Sequence, residues 1–236
     1  MVLCCYIMSI DGDLPEDLEK YFKEENLSKI RIPDVKKVRI SKSKSGKGDL
    51  NYFVGILYFK KVISDFDYEM IEDLNVKVDD KENTLSHSLG FIIFKDLKQV
   101  VFFNKKDGLH YGSKILSYLL FKKPNKIKTI SFDVKRIFED YKKGLFSDLW
   151  YQGVRGDGRI TFTSQYGSKI DKDKSFIKKL EKYGLGVEIN TGELAGTKVA
   201  IYRSGTLNYL GEYKGTFDKE LRIRHKIINI FKKYII

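Results

Sequence analysis

"VAIYRSGTLNYLGEYKG", residues 199–215, decides how the chain is read. Two short strand-forming runs flank Arg203-Ser204-Gly205, and Ser-Gly is a turn signal. The hairpin leads into "FDKELRIRHKIINIFKKYII", residues 217–236, a basic amphipathic helix. Ile227, Phe231 and Tyr234 form its apolar stripe; Arg222, Arg224, Lys226, Lys232 and Lys233 are the charged remainder. The same order occurs earlier. "FIIFKDLKQVVFFN", residues 91–104, reads as two buried strands joined tightly, and "HYGSKILSYLLFKK", residues 110–123, as the helix after them. Ile93-Phe94-Lys95 aligns with Ile201-Tyr202-Arg203, and Phe121-Lys122-Lys123 with Phe231-Lys232-Lys233. The expectation is an α+β fold of largely antiparallel sheets with packed helices, built as two related halves. Pro124 and Asn125 punctuate the chain between them, which puts the domains at 1–123 and 124–236.

The strand, Ser-Gly turn, strand and helix of residues 198–234, and more faintly residues 91–123, resemble a half-domain of the TATA-box-binding-protein-like family. The resemblance implies two such halves paired into a saddle whose concave sheet holds DNA. No apolar wedge pair stands at a matching position here, so that family's minor-groove kinking is not implied.

Charge points in the same direction. The 236 residues carry 44 Lys and Arg against 32 Asp and Glu, a formal net charge of +12. An excess of that size favours a polyanionic partner. Apolar residues make up 42%, which excludes a disordered tail. No apolar run approaches the roughly 20 residues that span a bilayer, so a membrane is not the expected partner. "MVLCCYIMSIDGD" opens with a short apolar run and no basic region ahead of it, and reads as a first strand. The adjacent Cys4 and Cys5 suit a buried strand better than a disulfide. The expected location is cytoplasmic. The three histidines have no CxxC or HExxH company, so neither a metal nor a cofactor is expected.

The positive excess lies partly in the first half of the chain. "DGDLPEDLEKYFKEENL" reads as an acidic helix, capped by Asp13 with Glu16 reaching back. "VKKVRISKSKSGKGDLNYFVGILYF" reads as two strands around a basic turn. Alternation puts Lys37 and Arg39 on one face, Val38 and Ile40 on the other, and Lys42, Lys44 and Lys47 in the turn. A basic arm of this kind meets phosphates, because each Lys displaces a condensed counterion. Farther on, Lys198 and Tyr202 share a strand face with Arg203 in the turn beyond, and Asn208 can fall on the corresponding face of the next strand. Tyr52, Tyr202 and Tyr209 are either core residues or stacking platforms for bases.

Three chemical readings compete with binding. "GVRGDGRIT", residues 153–161, has the glycine spacing of a phosphate loop, but Arg159 and Ile160 replace the required Lys and Ser/Thr. It reads instead as a hairpin turn presenting Arg155 and Arg159. Asp133 with Lys135, and Glu212 with Lys214, have the acid-x-Lys spacing of metal-dependent nucleases, though no second acidic ligand stands out. No nucleophile elbow is present. The expected function is therefore non-enzymatic binding of DNA or RNA through a basic sheet face and the arm at residues 36–47. A metal-dependent nuclease is the alternative, and an interaction or scaffold protein with incidental charge the third. No helix-turn-helix, zinc finger or RNP pattern assigns a sequence preference, and nothing indicates oligomeric state.

Overall fold

A computed structural model describes residues 4–46, 50–63, 84–103, 108–152, 184–209 and 216–236. The fold is α+β, and all strand pairs with a defined register are antiparallel. The chain forms two compact units: Met8–Lys128, and Met1–Ile7 with Thr129–Ile236. They are called the N-terminal and C-terminal units below.

The N-terminal unit is built on a meander. Strands β2 (Val35–Gly46), β3 (Tyr52–Val62), β4 (Thr84–Phe94) and β5 (Gln99–Phe103) lie side by side in chain order. Helix α2 (Leu109–Phe121) covers one face with Ile115, Leu116 and Leu119, all fully buried. Gly112 is what lets α2 lie so close, since a Cβ there would come within 2.6 Å of Leu89 Cδ1. Phe22, Phe53 and Phe91 fill the rest of this core, with Phe22 stacked on Phe53 at 4.3 Å between ring centroids.

The acidic helix expected over residues 11–27 is not continuous. A 3-10 turn, Glu19–Phe22, and one helical turn, α1 (Glu24–Leu27), replace it, with extended Lys23 between them. Gly12 takes φ +148, and the carboxylate of Asp13 accepts from Lys98 Nζ at 2.7 Å instead of capping a helix. The apolar spacing still works, because Leu18 and Phe22 are both buried.

The C-terminal unit repeats the element order. The first strand, β1 (Cys4–Ile10), precedes the helical segment, β2–β5 and α2. The short β6 (Ile127–Thr129) likewise precedes helix α3 (Val134–Lys142), four described strands and helix α4 (Phe217–Lys232). Those strands are β7 (Phe146–Gln152), β8 (Gly184–Ile189), β9 (Lys198–Tyr202) and β10 (Thr206–Tyr209). Residues Cys4–Tyr6 of β1 pair with β10. The hairpin that opened the reading is β9–β10, and Gly205 takes φ +80 in its turn. Ile227, Phe231 and Tyr234 are buried as their spacing predicts, and Phe231 stacks on Phe146 at 5.9 Å.

Not all of α4's cations are surface. Arg224 is 8% exposed; its Nε donates to Glu220 Oε1 at 2.9 Å and its Nη1 lies 2.8 Å from the thiol of the buried Cys5. Lys226 pairs with Glu193, and Lys233 with Asp140. Asp140 anchors the chain's last residues, accepting from Lys233 Nζ at 2.9 Å and from the Tyr234 hydroxyl at 2.7 Å. These donors hold its carboxyl down at about 2, against an ordinary value of 3.8. Burial, together with its bond to Asp140, pushes the Tyr234 hydroxyl up. Because the folded-state value is the depressed one, the stabilisation is present above about pH 4 and is lost as pH falls towards 2. Asp140→Asn should cost up to about 2 kcal/mol at neutral pH, and the difference from the parent should vanish below about pH 2. Urea unfolding across pH reads both.

Candidate nucleic-acid interface

The register of the N-terminal sheet sorts its residues into two faces. Phe53, Leu57 and Phe59 of β3 lie on the α2 side, with Leu89, Phe91 and Phe102 of β4 and β5. The opposite face carries Val54, Ile56, Tyr58 and Lys60 of β3. Their partners on β2 are Lys44, Ser41, Arg39 and Lys36, and on β4 they include Ser88 and Ser86. Lys36, Arg39 and Lys44 therefore share the face opposite α2. Arg39 sets its guanidinium 5.0 Å from the centroid of Tyr58, a cation–π contact.

This differs in two ways from simple alternation. Lys42 and Lys44 are not in a turn; they belong to β2, and all five of its Lys and Arg residues are exposed. Lys37 does not simply share a face with Arg39, because the register shifts between Lys36 and Arg39, and again between Ser41 and Lys44. Each shift sets two β2 residues against one on β3, which is a β-bulge. Lys37 and Lys42 both take φ +50 at these bulges.

The charge is one-sided. Five cations lie in β2 and two more, Lys60 and Lys61, in β3, while β2, β3 and β4 contain no Asp or Glu. Glu19 approaches the end of β2, where Ser45 donates to it. The four described strands of the C-terminal unit have the opposite balance: Asp148 and Glu188 against Lys198. Lys198, Tyr202 and Asn208 do share a face there, but Lys198 Nζ lies 3.6 Å from Glu188 Oε2. Tyr202 lays its ring across Gly184, and Arg203 is exposed in the turn.

Openness divides the surface further. Around β2 and β3 the face opposite α2 is accessible, with Lys36, Arg39, Lys44, Ser86 and Ser88 exposed and Tyr58 half-buried. Toward β5 it closes: Ile92, Phe94, Gln99 and Val101 are each no more than 3% exposed. In the C-terminal unit, Ala200 and Asn208 are buried on the corresponding face. Tyr52 is buried too, and Tyr209 lies on the helix side opposite Val199.

Asp133 caps α3, accepting from the backbone N–H of Arg136 at 3.1 Å. Among the described residues no cluster of His, Cys, Asp and Glu is arranged to hold a metal ion. Lys47, Arg155, Arg159, Glu212 and Lys214 lie outside the described residues. Sequence reasoning missed Tyr58, Lys60, Ser86 and Ser88. Only strand pairing reveals them, since they join the surface through β2–β3 and β3–β4 partners. Among the described residues no helix is long and apolar enough to cross a membrane. Compared with known proteins, the chain matches no family model and no curated protein.

Proposed function

We propose that the protein binds DNA or RNA without cleaving it, through the face of β2, β3 and β4 opposite α2. The observation that carries this reading is four cations on that face, Lys36, Arg39, Lys44 and Lys60, on three adjacent strands that contain no acid. Phosphates are the natural counter-charge for such a surface, and each contact releases condensed counterions. Tyr58 offers a half-buried ring beside Arg39 on which a base can stack, and Ser86 and Ser88 offer hydroxyls to phosphate or sugar. On this reading the likeness to TATA-box-binding-protein-like half-domains extends to the use of a sheet face, here that of β2, β3 and β4.

The test is equilibrium binding to single- and double-stranded DNA and RNA at several salt concentrations, with and without magnesium. Log K should fall steeply and linearly with log salt, and magnesium should release no cleavage products. Asp133→Ala should cost about 1 kcal/mol of stability, as an N-cap does, and leave binding unchanged. Cleavage that Asp133→Ala or Glu212→Ala abolishes would replace this reading with the nuclease. Absence of binding at low salt would leave the charge incidental.

A further inference from the structure

Beginning at Lys36, strict alternation along β2 would place Lys36, Val38, Ile40, Lys42 and Lys44 on one face. Cations and core residues would then be mixed, because the strand period is two. The observed strand does otherwise. Ile40 stands opposite Leu57 on the α2 side, while Lys36, Arg39 and Lys44 stand opposite Lys60, Tyr58 and Val54 on the other. The two bulges cause this sorting, since each adds one residue to β2 and reverses its parity. The residues that make the bulges are Lys37 and Lys42, at φ +50. This left-handed region is where bulges usually place glycine, and side chains with a Cβ enter it against steric resistance. Glycine would hold the backbone with less strain, yet both positions carry an exposed cation.

We propose that the two bulges are a phosphate-positioning device. Their left-handed backbone gathers Lys36, Arg39 and Lys44 onto one face, along a single run of nucleic-acid backbone parallel to β2. The proposal rests on the nucleic-acid reading above. It also sets a length. The β3 partners of Lys36 and Lys44 are Lys60 and Val54, six residues apart. That is about 20 Å at roughly 3.4 Å per residue, or the axial rise of about six base pairs.

The experiment separates backbone conformation from charge. Lys42 is replaced in turn by Gly, Asn, Ala and Val, and Lys37 likewise. Thermal unfolding and the salt dependence of binding to a short DNA duplex are then measured. Gly and Asn tolerate the left-handed region, so those variants should keep the bulge, melt no lower than the parent by more than a degree or two, and lose at most about 0.9 of the salt slope. Val resists it and should melt lower. Its slope should fall by about 2, because neighbouring cations leave the shared face with it. Ala, with a Cβ but no branch, should fall between, and it reads the same contrast should Val not fold. Equal slopes for Gly, Ala and Val in a parent that binds would overturn this proposal alone. A parent that binds no nucleic acid would overturn the nucleic-acid reading and this proposal together.

Discussion

Replacing Lys36, Arg39, Lys42 and Lys44 together by alanine is expected to lower the slope of log K against log salt by up to about 3.6. Each phosphate contact contributes roughly 0.9 to that slope. Between 1 M salt, where screening removes most of the attraction, and 0.15 M, the lost slope amounts to about a thousandfold in affinity. The cost to folding should be small and confined to the bulge at Lys42, since all four side chains are exposed on β2, at the end of the strand order of its sheet. Lys198→Ala with Arg203→Ala should lower the slope by less than one unit. Lys198 already has Glu188 as a partner in a unit whose described strands hold more acid than base. Equal losses from the two sets of substitutions would mean that the whole chain attracts the polymer, with no privileged face.

Phe91→Ala should cost about 3–5 kcal/mol. The ring is fully buried on β4, 5.9 Å from Phe22 and 6.0 Å from Phe53, so truncation leaves a cavity that three elements would have to collapse to fill. For a chain of this length that is roughly 10 °C or more in melting temperature. Phe91 lies on the α2 side, and its β3 partner is Gly55, next to the bulge at Lys42. Loss of this backing should therefore weaken nucleic-acid binding even at temperatures where the variant remains folded. A cost below about 1.5 kcal/mol, the range of volume-conserving core changes, would show that the aromatic cluster is not the support proposed for β3 and β4.

The elements that could be read from the sequence are those specified by neighbours. The β9–β10 hairpin carries its turn residue, Gly205, within the motif, and α4 carries its buried stripe at spacings of three and four. What could not be read depends on distant partners. Asp13 has the appearance of a helix cap, but its partner Lys98 is 85 residues away. Arg224 counts as a surface cation until the fold brings Cys5, 219 residues earlier, against its guanidinium. The bulges escape notice for a different reason: lysine occupies the positions where glycine would signal a break in alternation. A surface with Arg39 and Lys44 at its heart was therefore legible as basic, and its geometry was not. Tyr58, Lys60 and Ser88 belong to it only through strand pairing.

Amide hydrogen exchange with and without a DNA duplex at low salt locates the interface directly. The account predicts slowed exchange across residues 35–62 and around Ser86–Ser88, with residues 184–209 unchanged. Slowed exchange over residues 184–209, with residues 35–62 exchanging as in the free protein, would contradict it.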